Sequence, residues 1–244
     1  MNRYLRYLLV YVIYSVRLLL LKKKFGSFIY DVRHFFYWYR LQKTGQSPVD
    51  LQIPWMPFAA IDFLKKWLHK EMVVFEYGSG GSSLFFASRV NHLYSVEHDA
   101  AWFAAVQKKI QEKNIKNLSY TLMRPEPASS VLDNCGNPDL YLSCMREYKD
   151  YSFEKYVKSI DQYPDQYFDL VIVDGRARPS CIKHALPKIK RKGILLLDNA
   201  NRSYYLQPFP DLMDEVQWRK IVFEDHFPVS PASVLNTTMI FIKR

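Results

Sequence analysis

Beyond residue 57 the apolar positions alternate between two rhythms. Short apolar runs, "MVVFEY", "HLYSVEH", "LSYTLM", "YFDLVIVD" and "GILLLD", read as strands. Between them, "SSLFFASRV", "DAAWFAAVQKKIQEK", "FEKYVKSID" and "SCIKHALPKIK" carry apolar residues at helical spacing, as "FAAIDFLKKWLH" does ahead of the first run. This alternation predicts parallel strands joined by crossover helices. The chain closes with "WRKIVFE" and "TTMIFIKR", which have no helical pattern between them, so they are expected to pair antiparallel. Arg124 to Asp150 fits no element. It holds Pro125, Pro127, Pro138, Cys135 and Gly136, and reads as a long insertion of the kind that often forms a lid. Gly45 to Pro54 reads as a linker into the main domain.

The first 24 residues follow a different pattern: an apolar helix with Arg6, Arg17 and Lys24 close to one line and Arg3 near it. Residues 4–21 would span roughly 27 Å as a helix, long enough to cross a bilayer. A basic stripe along a greasy cylinder also suits a helix lying on anionic lipid. Packing on the protein's own core or on a partner is the third reading. The aromatic run Phe35 to Arg40 fits either lipid headgroups or the domain surface. No small-residue cleavage site follows, so a removable signal peptide is not expected. The expected organisation is residues 1–45 as an apolar and basic helical segment and 46–244 as one domain.

Charge sharpens that division. The net charge is +10, yet residues 1–43 carry nine Lys/Arg against the single acid Asp31. The remaining residues hold 25 basic and 23 acidic side chains. A body so close to neutral predicts no nucleic-acid partner. Hydrophobic residues make up 49%, which favours a globular fold over disorder. Cys135, Cys144 and Cys181 are odd in number and form no C-x-x-C pair. Neither a disulfide framework nor a zinc site is expected, and a reducing, cytoplasmic compartment fits.

The candidate chemistry centres on "VVFEYGSGGSSLFF", which holds three of the chain's eight glycines. A tight strand-to-helix turn, or close backbone approach to a ligand, calls for glycine there. A dinucleotide turn wants G-x-G-x-x-G, and the third glycine position is Ser83. Glu97 stands 21 residues after Glu76 at the end of the next strand, placed to accept both ribose hydroxyls of a nucleoside. Asp174 ends "VIVD", and Asp198 and Asn199 follow "GILLL". In open α/β sheets such strand ends face the ligand. Asp99 reads as a helix N-cap. Asp225 and His226 lie in a loop that could reach the site.

Glu76, Gly78, Ser79, Gly80, Gly81 and Ser82 together resemble the first motif of the class I S-adenosylmethionine (SAM) methyltransferases. The resemblance covers roughly residues 55–244. It implies a Rossmann-like α/β fold: a seven-stranded, mostly parallel sheet with a C-terminal antiparallel strand, here preceded by the N-terminal helix. It also implies SAM as cofactor, held by Glu76, Gly78, Ser79, Gly80, Ser82, Glu97 and His98, with Glu76 serving the ammonium directly or through water and the turn amides the carboxylate. Asp174, Asp198 and Asn199 look like the metal site of cation-dependent O-methyltransferases, which implies Mg²⁺ orienting a substrate hydroxyl. Those enzymes place a lysine where this chain has Ala177, flanked by Arg176 and Arg178. The alternative has Asp174 acting alone as base, with the arginines binding an acidic substrate. The expected reaction is O-methylation of a small-molecule or glycan hydroxyl. A nucleotide-dependent oxidoreductase and a non-catalytic binding protein on the same fold stay open.

Overall fold

The computed structural model describes residues 3–22, 25–128, 134–225 and 236–244. Helices α1 (Arg3–Lys22) and α2 (Phe25–Thr44) form a hairpin ahead of the short α3 (Pro48–Leu51) and α4 (Phe58–Trp67). Then come β1 (Val73–Tyr77), α5 (Gly81–Ala87), β2 (His92–Glu97), α6 (Ala100–Glu112) and β3 (Leu118–Leu122). The two-residue strands β4 (Glu126–Pro127) and β5 (Tyr151–Ser152) bracket the insertion. The chain continues through α7 (Glu154–Lys158), β6 (Phe168–Val173), α8 (Arg178–Lys188), β7 (Ile189–Leu197), β8 (Trp218–Asp225) and β9 (Asn236–Lys243).

Seven of these strands form one sheet in the order β3-β2-β1-β6-β7-β9-β8. All neighbouring pairs from β3 to β7 are parallel, and β9 runs antiparallel to both β7 and β8. The α/β alternation and the antiparallel closing pair are as the apolar rhythm predicts. Period-two side-chain alternation divides the core between the two faces of the sheet. Val74, Leu170, Ile172, Leu196 and Ile240 pack beneath α4 and α5, against Ile61, Leu64, Phe85 and Phe86. Phe75, Tyr77, Val171, Leu195 and Phe241 pack against Tyr156, Val157, Cys181 and Ile182 of α7 and α8. The middle strands are apolar on both sides because helices cover both sides.

Several expectations change. The helix expected over 180–190 stops at Lys188, with Pro187 in its last turn, and Ile189 already belongs to β7. The expected linker contains α3, closed by a capping box in which Asp50 N donates to Ser47 Oγ and Ser47 N donates to an Asp50 carboxylate oxygen, both at 3.2 Å. Cys135 and Cys144 form a disulfide with Cα atoms 5.2 Å apart, while Cys181 is free and buried. This corrects the expectation of no disulfide. A C-x₈-C spacing has no diagnostic value in sequence, and only the fold of the insertion brings the thiols together. The cysteine argument for a reducing compartment falls with it.

The N-terminal segment is two helices rather than one. Tyr11 of α1 meets Phe35 and Trp38 of α2, with ring centroids 5.1 and 4.9 Å away. Trp38, Leu41 and Phe58 join the same buried cluster, which ties the hairpin to α4. Tyr30 also hydrogen-bonds Asp62 on α4. The aromatic run therefore packs inward at Phe35 and Trp38. Among the described residues no helix is long and apolar enough to cross a membrane.

Candidate active site

The sheet order reverses direction at β1, which has β2 on one side and β6 on the other. That switch point leaves a crevice beyond the carboxyl ends of the strands. A cleft of about 860 Å³ opens there. The β1–α5 turn forms its floor. Gly78 has φ +88°, and a Cβ on it would lie 2.7 Å from the Gly175 backbone. A Cβ on Gly81 would lie 2.1 Å from the Pro48 carbonyl oxygen. Both glycines thus permit backbone contact, one with the β6 loop and the other with α3.

Glu76 sits below this floor and not in it. The residue is fully buried and accepts hydrogen bonds from Ser82 Oγ and Ser83 Oγ at 2.5 Å and from Ser95 Oγ at 2.6 Å. Burial pushes its carboxyl up to about 7, against the three hydroxyl bonds. Of the two routes expected from Glu76 to a SAM ammonium, directly or through water, the geometry disfavours the direct one: the three serines take the carboxylate inward, where Glu76 holds the turn. Ser83, noted above only as a missing glycine, also accepts a bond from Gly80 N at 3.1 Å. Ser95 stands beside Glu76 in the β1–β2 register. Ser82 reaches the cleft edge but spends its hydroxyl on Glu76.

Glu97 does line the cleft. Its Oε2 accepts from Ser79 N and Ser79 Oγ, both at 2.9 Å, and its Oε1 from His98 N at 2.7 Å and Asp99 N at 2.9 Å. Burial alone would raise this carboxyl; His98, whose Nδ1 lies 2.7 Å away, and the amides outweigh it and hold the group below its ordinary value. His98 is buried rather than exposed in a turn, and its Nε2 lies 3.1 Å from Tyr148 Oη. Asp99 caps α6 by accepting from Trp102 N at 2.7 Å. Trp102 then reaches over the floor, its Nε1 donating to Ser79 O at 2.7 Å. Sequence reasoning missed Trp102, Trp55, Pro48 and Tyr148, all lining the cleft. None carries a motif; each arrives from an element remote in sequence or across a loop.

On the other side of the turn stand the ends of β6 and β7. Arg178 is buried and binds this corner together. Its Nη2 donates to Asp174 Oδ1 at 3.0 Å, its Nε to Gly175 O at 3.0 Å, and its Nη1 to Asp198 O. Thr238 Oγ1 from β9 donates to Asp198 Oδ1 at 2.5 Å. Burial, and next the charge of Asp198, push the Asp174 carboxyl well above the usual range, with Arg178 opposing. Asp174 keeps 22% side-chain exposure toward the cleft. Arg176 also lines the cleft; its guanidinium lies 5.6 Å from the Tyr148 ring centroid, and its Nε is buried without a hydrogen-bond partner. Both arginines border the cleft and differ in commitment: Arg178 is taken up by Asp174, Gly175 and Asp198, whereas Arg176 lies beside Tyr148 with its Nε unpaired.

This donor set does not fit the expected Mg²⁺. Asp174 Oδ1 is paired with Arg178, and Asp198 Oδ1 accepts from Thr238. Asn199 lies at the cleft with φ +51° in the turn after β7. Among the described residues no three His, Cys, Asp or Glu side chains group as a metal site. A guanidinium already supplies the positive charge that a cation would bring. Asp225 ends β8, and His226 lies outside the described residues.

No protein-family model and no curated protein matches the sequence. Solved structures do match the fold. A protein described as a methyltransferase from Streptococcus mutans, in complex with S-adenosylhomocysteine, superposes with a TM-score of 0.51 at 14% identity, covering 81% of this chain and 98% of that one. An O-methyltransferase from Bacillus cereus, also with S-adenosylhomocysteine, gives 0.50 at 10% identity, covering 71% and 74%. An rRNA methylase from Streptococcus thermophilus gives 0.47 at 14%, covering 75% and 92%. With its sheet order, glycine turn and cleft, the chain has the Rossmann-like fold of the class I SAM-dependent methyltransferases.

Proposed function

We propose that the protein is a SAM-dependent methyltransferase that methylates a hydroxyl of a small molecule or glycan bearing an anionic group. The observation that supports this reading is the division of one cleft: Glu97 and Trp102 on one side of the Gly78–Gly81 turn, Asp174 and Arg176 on the other. The first side suits a nucleoside. Glu97 is ionised and can accept from ribose hydroxyls by releasing Ser79 Oγ, which has Tyr120 Oη as a second partner at 2.6 Å. The amides of the turn suit the carboxylate of the amino-acid end. SAM, when bound, supplies an electrophilic methyl group for in-line displacement.

The second side then receives the acceptor. Asp174, which lines the cleft at the end of β6, takes the hydroxyl proton. Arg178 holds that carboxylate in place through Oδ1. Arg176 pairs with the acceptor's carboxylate or phosphate, since its guanidinium is a good clamp and a poor base. No step is assigned to a metal.

Calorimetry with SAM, S-adenosylhomocysteine and NAD tests the cofactor: the first two bind and NAD does not. An acceptor screen with methyl-labelled SAM, including uronic acids, phosphorylated sugars and RNA, tests the substrate class. Asp174→Asn is expected to lower methyl transfer by roughly 10²–10⁴ while SAM binding persists, and EDTA to leave turnover unchanged. Near-normal transfer by that variant rejects the base. Loss of turnover with EDTA, restored by Mg²⁺, would return Asp174 and Asp198 to a metal site. Preferential labelling of RNA rejects the small-molecule reading.

A further inference from the structure

The helical hairpin carries apolar surface that the fold does not use. In α1, Tyr11 and Ser15 face inward, while Leu5, Leu9, Ile13 and Leu20 are exposed, Leu20 at 69%. Their spacing places them within about 80° of helical arc, one continuous stripe. In α2, Phe25, Ile29, Val32 and Phe36 are exposed at intervals of four, three and four, with Phe36 at 71%. A helix stabilised only by its own protein puts polar residues on its outer face. Here both outer faces are apolar and bordered by charge of one sign. Arg6 and Arg17 flank the α1 stripe, and Arg33, Arg40 and Lys43 flank or extend the α2 stripe, all exposed.

We propose that the hairpin docks in the plane of a membrane that carries anionic lipid, with the two stripes entering the headgroup boundary and the flanking cations pairing with lipid phosphates. Charge decides among occupants. Residues 1–43 carry nine basic residues and one acid. A second copy would bring the same excess of positive charge against itself, whereas an anionic surface complements it. A nucleic-acid backbone would match the cations and leave the apolar stripes unburied. Neither helix meets the length and apolarity needed to cross a bilayer. That leaves an orientation along the surface, the one in which apolar and basic positions both find partners.

The test is vesicle flotation of the full chain. Binding to phosphatidylcholine vesicles containing phosphatidylserine is expected at low salt, with much weaker binding to phosphatidylcholine alone. Arg33→Glu/Arg40→Glu/Lys43→Glu should weaken binding by at least about 100-fold, at roughly fivefold for each cation removed. Ile29→Asp/Phe36→Asp should abolish it, with unchanged circular dichroism, since both side chains are exposed. No partition onto anionic vesicles at low salt overturns the proposal, as does undiminished binding by the Ile29/Phe36 variant. Self-association in light scattering that this variant removes, without vesicle binding, would assign the face to a second copy instead.

Discussion

At the scale of single residues, two glutamates at consecutive strand ends have been given opposite electrostatic surroundings. Glu76 is dry and ringed by neutral hydroxyls, whereas Glu97 meets the His98 ring, three backbone amides and one hydroxyl. A folded pKa raised from 4.5 to about 7 means the folded state holds a proton that the unfolded chain has released between those values. Stability from Glu76 is therefore complete below about pH 4.5 and is lost as pH rises through about 7, amounting to about 3 kcal/mol. Glu76→Gln should remove that slope, and urea unfolding at pH 5 and 8 checks it; equal slopes in both proteins refute the assignment. Glu97 behaves oppositely, its contribution being lost as pH falls below the ordinary carboxylate range. Glu97→Ala should weaken SAM binding by about 1–3 kcal/mol, because ribose hydroxyls then lack an acceptor. Unchanged affinity by calorimetry removes Glu97 from the cofactor site.

At the scale of elements, the insertion between β3 and α7 matters most. It is closed at its base by the β4–β5 pair and within by Cys135–Cys144, just ahead of the 3-10 turn Arg146–Tyr148. Tyr148 then reaches His98 on one side and Arg176 on the other. Closing a loop of this size stabilises by about 2–3 kcal/mol on the chain-entropy account. Reduction, or Cys144→Ser, should lower the urea midpoint and raise amide exchange around Tyr148, with little change in the central strands. Identical midpoints and exchange with and without reductant would show that the bridge contributes nothing to the order of the cleft wall.

At the scale of the whole molecule, the sheet supplies the floor, and the hairpin is attached around Phe58, which shares a buried cluster with Phe35, Trp38 and Leu41 and meets the rings of His34 and Tyr37, with the Tyr30–Asp62 bond beside it. We propose residues 1–45 and 46–244 as separable units. A chain starting at Gln46 should fold, bind SAM with unaltered affinity, and lose about 1.5–3 kcal/mol of stability from exposing Phe58. Thermal unfolding and calorimetry measure both quantities. Failure of the shortened chain to fold would make the hairpin part of the core.

The sequence by itself determined the layered fold, because strand and helix periods are local properties. Runs such as "FDLVIV" and the amphipathic "AAWFAAVQKKIQEK" state their own geometry. It also determined the glycine turn after β1 and the strand-end positions of Glu97, Asp174 and Asp198. The direction each side chain faces was decided only in three dimensions. Glu76 turned inward because Ser82, Ser83 and Ser95 converge from two elements. Arg178 and Arg176, two residues apart, parted because helix α8 begins between them, burying one against the β7 end and leaving the other beside Tyr148. The disulfide was settled by the fold of the insertion, and the packing of the second N-terminal helix by its ring contacts with α1 and α4. Hydrogen bonds and ring packing across such separations leave no periodic trace in sequence, since any chain with the same local rhythm could make them or not.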